Sequence, residues 1–258
     1  MPRDAKTRLS RRRVLAQLLT GAGAALLAGC EAASRSPWFS QLLGVGEHWT
    51  RGAQRLVTSR RSMAQEFDEA DLSPEFRSNG TSNPKSAAYQ AHASNAFADW
   101  ALQVDGLVTS PATFTLAQLR ALPSRTQITR HDCVEGWSAI GKWTGVPLSE
   151  VLSRVAPLAR ARFAVFHCAD AMRSGDAYYE SSDMEDAYHP QTILAYELNG
   201  KVLPIANGAP LRLRVERQLG YKMAKYVMRI ELVESFAHLG RGKGGYWPDR
   251  GYEWFAGI

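Results

Sequence analysis

A single cysteine stands among charged residues in segment 130–138, which reads RHDCVEGWS. The thiolate of a cysteine such as Cys133 is a soft metal ligand and a nucleophile. The N-terminal sequence indicates export, and outside the cytoplasm an unpaired thiol is open to oxidation unless another group holds it. The segment therefore predicts that some other group holds Cys133.

Several interpretations of Cys133 stay open from the residues alone. One is a disulfide with Cys168, the only other cysteine once Cys30 is assigned to the export signal, because exported cysteines usually pair. Another is a nucleophile assisted by His131, since alternate residues of a strand share a face. Zinc is disfavoured because the cysteines and histidines lack ligand spacing, and no Cys-x-x-Cys-His motif indicates covalent haem.

The N-terminal segment is typical of a twin-arginine export signal. Arg11 and Arg12 precede an apolar run that ends at Gly29. The run of about 16 residues is shorter than the roughly 20 residues that a membrane-spanning helix needs. Its end, LAGC at 27–30, resembles a lipobox in which Cys30 becomes the lipidated first residue; ordinary cleavage near Ala28 is the alternative. Cargo of this route folds before export, often around a cofactor.

The charge distribution argues against nucleic acid as a partner. The chain has 258 residues and a formal net charge of +6. Residues 1–61 contain 11 Lys+Arg against 3 Asp+Glu, whereas residues 62–258 contain 20 against 22. The positive charge belongs to the N-terminal region, so the rest of the chain has no excess of cations for phosphates.

Short strands outnumber helices in the pattern, without a regular strand–helix alternation, which predicts an α+β fold with mixed sheets. Thr115 predicts the cap of a helix over 116–122, and Pro147 predicts the start of a helix that reaches Val155. Asn199–Gly200 predicts a hairpin turn. Strands are expected at 100–106, 126–129, 162–168, 193–198, 211–215 and 226–233, and the strand at 126–129 leads directly to Cys133, which places that thiol at a strand end. We expect a signal at 1–30, a tether and lead-in arm at 31–75, and one catalytic domain at 76–258.

Four segments together resemble a known family. They are RHDCVEGWS at 130–138, WTGVPL at 143–148, NGAPLR at 207–212 and GYKMAK at 220–225. In this order they resemble the sulfite-oxidase-type molybdopterin fold, most closely its bacterial twin-arginine-exported branch, which includes the catalytic subunit of periplasmic methionine-sulfoxide reductase. The resemblance covers roughly residues 76–258. The order makes it specific, whereas one motif alone is weak.

The resemblance implies a cofactor and the residues that bind it. One protein thiolate, here Cys133, would ligate molybdenum beside the two dithiolene sulfurs of one molybdopterin. Tyr252 aligns loosely with an active-site tyrosine, although packing is the commoner role of a tyrosine in such an aromatic stretch. The implied cofactor contacts are Asn79, Gly80, Thr81, Cys168, Asp170, Asn207, Arg212, Met223, Ala224 and Lys225. Of Cys168 and Asp170 we favour Asp170 as the polar contact. Without the resemblance, Arg212 in a Leu-Arg-Leu-Arg pattern indicates a solvent-facing strand position.

The implied activity is oxygen-atom transfer by a periplasmic enzyme, most closely reduction of an S-oxide or N-oxide. Its electrons would come from a membrane cytochrome b or a periplasmic carrier, and the twin-arginine translocase would export it. Residues 76–84, rich in small and polar residues, form an early loop. Sulfite oxidases place an arginine just before the Asn-His of this loop, where this chain has Ser78 and, for the histidine, Gly80. Sulfite-type oxidation is therefore disfavoured. A non-catalytic exported binding domain with a Cys133–Cys168 disulfide remains the alternative of another class.

Overall fold

The computed structural model describes residues 62–172 and 175–258, together with isolated positions between 36 and 59. Arg11, Arg12 and Cys30 lie outside the described residues, so the export signal stays a prediction. The unit described below belongs to the compact part of the chain that runs from Arg55 to Ile258. Within the described residues, no helix is both long and apolar enough to cross a membrane.

The described residues form ten strands and four short α-helices, which confirms the predicted α+β class. The helices are α1 (Ala87–Ser94), α2 (Leu116–Ala121), α3 (Leu148–Val155) and α4 (Met184–Ala187). The strands are β1 (Ala101–Gly106), β2 (Ala112–Thr115), β3 (Arg125–Asp132), β4 (Ser138–Pro147), β5 (Phe163–Ala171), β6 (Ala177–Asp183), β7 (Ile193–Leu198), β8 (Lys201–Val202), β9 (Arg212–Arg214) and β10 (Val227–Val233).

The strands assemble into two five-stranded sheets. The first has the order β2-β1-β10-β5-β6, and its only parallel pair joins β1 to β10, with Val104 opposite Ile230. The second has the order β3-β4-β7-β8, with β9 also paired to β7. Because β1 and β10 are far apart in sequence, the first sheet brings distant parts of the chain together.

Local signals set the helix ends as expected. Thr115 caps α2 through a capping box, in which its side chain accepts from the N–H of Gln118 and the Gln118 side chain accepts from the N–H of Thr115. Pro147 precedes α3, and Asn199–Gly200 turns β7 into β8 with positive φ at both residues. These three predictions are confirmed.

Three strands, β2, β4 and β6, were not predicted, and the last two depend on packing rather than pattern. In β4, a Cβ on Gly145 would lie 2.6 Å from the Cα of Ala195, so a glycine lets β4 and β7 approach closely. In β6, the polar residues Glu180 and Ser181 are completely buried. The predicted solvent-facing position of Arg212 is wrong, because β9 is buried on both faces.

The end of the predicted tether lies along the second sheet. Glu66 forms a bridge with Thr129, and the N–H of Phe67 donates to the carbonyl of Ile128 at 2.9 Å. The N–H of Ser73 donates to the carbonyl of Ile140 at 3.1 Å. Within residues 62–75, the chain therefore adds backbone hydrogen bonds to β3 and β4 before the early loop begins.

Candidate functional site

Cys133 follows β3 directly, at the strand end where the sequence predicted it. A tight turn presents its thiol: the N–H of Cys133 donates to the carbonyl of Trp137 at 2.9 Å, and the N–H of Gly136 donates to the carbonyl of Cys133 at 3.0 Å. Gly136 has φ +84°, a conformation that favours glycine. The side chain is 8% exposed and lines a pocket, so the turn holds the thiol in a fixed, accessible place.

The cysteine's electrostatic surroundings are mixed. Burial raises the pKa of Cys133, the N–H of Glu135 donates to the sulfur and lowers it, and the Glu135 carboxylate raises it. The charge of Arg212 lowers the pKa of Cys133. Cys133 and Cys168 are both free thiols, so the disulfide interpretation is wrong for this structure.

The pocket has an empty volume of about 570 Å³. Seven of the predicted site residues line it: Asn79, Gly80, Thr81, Cys133, Asp170, Met223 and Lys225. Seven further lining residues were not predicted: Val134, Glu135, Met172, Tyr178, Gly220, Tyr221 and Trp247. Much of the wall is therefore apolar or aromatic, and the single cation among the described lining residues is Lys225.

Lys225 holds the early loop in place. Its Nζ donates to the carbonyl of Asn79 at 2.7 Å, to the carbonyl of Thr81 and to the carbonyl of Ala206 at 3.0 Å. The hydroxyl of Tyr226 also donates to the Thr81 carbonyl, at 2.8 Å. All three ammonium protons thus have backbone acceptors, so here Lys225 clamps a loop and does not point a free charge at a ligand. Burial, with the charge of Arg212, lowers its pKa to about 7.

Asp170 and Cys168 lie on the same strand but line different cavities. Asp170 lines the Cys133 pocket, and its Oδ1 is buried without a hydrogen-bond partner among the described residues. Burial raises its pKa, opposed by a hydrogen bond from Thr81. Cys168 lines a second cavity with His167 and Tyr179. Of the two expected alternatives, the structure thus places Asp170 in the pocket.

Arg212 is completely buried without a carboxylate partner among the described residues. Its Nη1 donates to the carbonyl of Asn207 at 3.1 Å, whereas Nε and Nη2 have no hydrogen-bond partner. Burial and the neighbouring charge of Arg214 lower its pKa to about 9, so it is cationic at neutral pH. Arg214 differs, because its Nη2 donates to Glu216 at 2.6 Å. A buried cation with unused donors calls for an anionic ligand.

Gly208 and Gly220 allow neighbouring side chains to pack closely beside them. A Cβ on Gly208, which has φ +117°, would lie 3.0 Å from the Cβ of Lys225 and 3.3 Å from the Cβ of Arg212. A Cβ on Gly220 would collide with the ring of His131. That ring is buried and neutral: burial lowers the pKa of His131, and its Nδ1 accepts from Arg214 Nη1 at 3.0 Å.

These residues fit the cofactor that the sequence resemblance implies. The two unused donors of Arg212 suit a phosphate oxygen. The unpartnered acceptors Asn79 Oδ1 and Asp170 Oδ1 suit the N–H groups at the rim of a pterin. The thiol of Cys133 supplies the soft ligand that molybdenum would need. The donor set thus matches a group that combines an anion, a polar ring and a metal.

The remaining expected residues, Arg212 among them, do not line the pocket. Asn207 is buried and donates to the carbonyl of Phe76 at 3.4 Å, and Ala224 is buried and accepts from the N–H of Leu213 at 2.8 Å. Tyr252 is 37% exposed and packs against the lining residues Tyr221 and Trp247, with ring centroids 5.3 and 5.0 Å apart. Tyr252 therefore contacts two residues that line the pocket but does not line it itself.

The early loop carries no arginine into the pocket. The hydroxyl of Ser78 donates to the carbonyl of Ala206 at 2.6 Å. The guanidinium carbon of Arg77 lies 5.7 Å from the ring centroid of Trp137, and neither Arg77 nor Trp137 is among the lining residues. Neither Arg77 nor Ser78 is thus part of the wall of this pocket.

Some of the unpredicted lining residues carried a signal in the sequence. Val134 and Glu135 belong to the motif around Cys133, and Gly220 and Tyr221 belong to GYKMAK, so membership of these two motifs was the signal in the sequence. Met172, Tyr178 and Trp247 carried none. They reach the pocket through the β5–β6 hairpin and the segment after β10, whose positions depend on tertiary packing.

Comparison with known proteins places this site in a family. A family model described as "Oxidoreductase molybdopterin binding domain" matches residues 89–238. A putative protein-methionine-sulfoxide reductase subunit YedZ1 from Azospira oryzae is 36% identical over 248 residues, covering 96% of this chain and 88% of the relative. The protein-methionine-sulfoxide reductase catalytic subunit MsrP from Ralstonia nicotianae is 32% identical over 242 residues, covering 87% of this chain and 69% of the relative. The crystal structure of sulfane dehydrogenase SoxCD from Paracoccus pantotrophus aligns with a TM-score of 0.49 and 26% identity, covering 54% of this chain and 39% of that chain.

Proposed function

The chain belongs to the family of molybdopterin-binding oxidoreductases, and on that premise we propose that it reduces the S-oxide of methionine side chains. The observation that carries the proposal is the pocket around Cys133, which combines a thiol with an apolar and aromatic wall. The related proteins named protein-methionine-sulfoxide reductase support the choice of substrate.

The cofactor would be held by residues from distant parts of the chain. Cys133 would ligate the molybdenum of one molybdopterin, Arg212 would bind its anionic end, and Asn79 and Asp170 would accept hydrogen bonds from the pterin rim. When bound, the group supplies a two-electron redox centre that takes an oxygen atom from the substrate. Lys225 would contribute indirectly, because it fixes the loop that carries Asn79.

The wall favours a neutral sulfoxide over a small dianion. Val134, Met172, Tyr221 and Trp247 offer apolar contact for the methylene and methyl groups of a methionine side chain. Lys225, the one cation among the described lining residues, already donates to three carbonyls. Sulfite would therefore find no free cation at this wall, whereas a sulfoxide needs none.

The net reaction requires electrons and protons from outside the site. Reduction of a sulfoxide consumes two electrons and two protons and releases a thioether and water. The exposed residue Glu135 is part of the lining and places a carboxylate at the pocket's solvent side. We propose a membrane cytochrome b or a small carrier as the electron donor.

The proposal includes export. Arg11 and Arg12 would direct the folded protein through the twin-arginine translocase to the periplasm, and Cys30 would carry a lipid anchor. A periplasmic enzyme would meet methionine residues that oxidants have converted to sulfoxides, which suits the proposed substrate.

The deciding experiment compares two substrates on purified holoenzyme. With reduced viologen as donor, we expect turnover of a peptide that contains methionine sulfoxide. With an oxidised acceptor dye, we expect little oxidation of sulfite. Metal analysis of the same sample should find molybdenum near one equivalent. Sulfite oxidation without sulfoxide reduction would reject the proposed function, and the absence of molybdenum would reject the cofactor.

A further inference from the structure

One of the protein's own methionines lies in the pocket where the proposed reaction takes place. Met172 follows β5 and lines the cavity with Cys133. Its side chain is partly buried and packs against the core, and its sulfur lies 3.9 Å from the hydroxyl oxygen of Thr81. A thioether, the chemical group that the proposed reaction produces, is therefore built into the wall.

Two other methionines provide a contrast. Met223 also lines the pocket, but it is 3% exposed and its sulfur lies 3.3 Å from His131 Nδ1. Met63 is 46% exposed and is not among the lining residues. Met172 alone of these three combines partial exposure to solvent with a place in the pocket that Cys133 lines.

We propose that Met172 is a site of reversible oxidation that the protein repairs in its own pocket. Hypochlorous acid would transfer an oxygen atom to the thioether, giving the sulfoxide, a proton and chloride. The site would then reduce this sulfoxide with two electrons and two protons from its usual donor, giving the thioether and water. The inference rests on the proposed function, because the same centre performs the second step.

The position of Met172 favours repair within one molecule. Methionine is unbranched with three rotatable bonds, so its sulfur can move within the pocket without a change of fold. A group tethered beside the site is present at an effective concentration on the order of millimolar, whatever the protein concentration. The oxidised side chain is polar and occupies the wall that an external substrate needs, so oxidised protein turns over external substrate only after Met172 is reduced.

The experiment follows individual methionines by mass. Holoenzyme is treated with limiting hypochlorous acid, desalted and given reduced viologen at high and at low protein concentration, and peptides containing Met63 and Met172 are quantified over time. We expect the Met172 sulfoxide to disappear with a rate constant that dilution does not change. The Met63 sulfoxide should disappear in proportion to protein concentration, because it must reach the pocket of another molecule.

Variants separate this inference from the proposed function. Oxidised wild-type protein and oxidised Met63→Leu should both show a lag before they reduce an added sulfoxide peptide, whereas oxidised Met172→Leu should show none. In Cys133→Ser both internal sulfoxides should persist. If wild-type protein reduces the added peptide while the Met172 sulfoxide persists, or if dilution slows its loss, this inference is wrong and the function stands. If oxidised wild-type protein reduces neither the peptide nor Met172 while untreated protein reduces the peptide, this inference alone is wrong; if untreated protein also fails to reduce the peptide, both are wrong.

Discussion

Arg212 lies two residues before Arg214 on a fully buried strand, and only Arg214 has a carboxylate partner among the described residues. Both guanidinium groups lie over the ring of Trp143, at 5.2 and 4.4 Å from its centroid. Of these two buried cations, Arg214 is paired with the carboxylate of Glu216 and Arg212 is not. The uncompensated charge is a cost in the cofactor-free protein and an attraction for an anion.

Arg212→Leu should therefore act in opposite directions on stability and on cofactor binding. In cofactor-free protein, removal of the buried charge should stabilise the fold by about 1–4 kcal/mol, raising Tm by roughly 2–4 °C per kcal/mol. Cofactor affinity should fall roughly 10- to 100-fold, since a hydrogen bond to a charged group contributes about 1.5–3 kcal/mol. Thermal unfolding and bound pterin measure the two effects.

The exposed residue Arg160 provides the matched control, because Arg160→Leu should change neither quantity. Arg212→Lys should also lose pterin, since an ammonium cannot reproduce the planar set of donors. Unchanged pterin content in Arg212→Leu would exclude Arg212 from the cofactor site.

Cys133→Ala should lose activity and retain pterin. The proposed contacts of the pterin and its phosphate lie on other residues, so the organic part can remain bound. Loss of a direct metal ligand should reduce kcat by more than the roughly 10- to 100-fold typical of outer partners. Activity assays with pterin fluorescence measure both, and Cys168→Ser serves as the control that keeps kcat. Full activity in Cys133→Ala would remove the thiol from the mechanism.

Lys225 should make the cofactor-free protein more stable as pH rises from about 7 to 10. Its pKa is lowered to about 7 in the folded state, against roughly 10.4 in an unfolded chain. Between these values the unfolded chain binds the proton and the folded protein does not, so the free energy of unfolding increases with pH. Lys225→Met should remove this increase in the free energy of unfolding with pH. Lys201→Met, at an exposed site, should leave it unchanged. Parallel pH profiles for wild type and Lys225→Met would contradict the assignment.

Lys222 and Glu180 form a buried ion pair that joins β6 to the segment before Met223. Lys222→Met should cost about 3–5 kcal/mol of unfolding free energy, because it leaves a buried carboxylate unpaired. Adding Glu180→Gln should restore much of that loss, since the charge is then removed as well. Denaturant unfolding measures both variants. A double variant as unstable as Lys222→Met would show that packing, and not charge, is responsible.

Replacing Arg11 and Arg12 by Lys should retain the protein in the cytoplasm. The translocase reads the arginine pair, whereas Arg8 lies outside it, so Arg8→Lys should still be exported. Cell fractionation with an antibody distinguishes the two variants. Normal secretion of the Arg11 and Arg12 variant would count against the twin-arginine route.

Elements with strong local signals were predictable from the sequence. The cap at Thr115, the helix start at Pro147 and the hairpin at Asn199–Gly200 all depend on residues within a few positions of each other. The position of Cys133 at a strand end was predictable for the same reason. The family's motifs then indicated Asn79, Asp170 and Lys225 as pocket residues, although not the clamp that Lys225 forms.

Features that depend on distant packing were not predictable. The alternation at 211–215 indicated a half-exposed strand, because pattern alone cannot reveal that a second layer covers the arginines of β9. The hydrophobic pattern also gave no indication of β6, where Glu180 is buried against Lys222. Trp247 and Tyr178 join the pocket wall only because separate segments meet there.

The parallel pairing of β1 with β10 has a consequence for biosynthesis. β10 is the last strand of the described domain, and it lies between β1 and β5 at the centre of the first sheet. A nascent chain on the ribosome cannot complete this sheet until residue 233 has emerged, and pairings this distant in sequence form slowly. The pocket, which needs Asn79 from before β1 and Lys225 from before β10, is therefore assembled only after most of the chain has been synthesised.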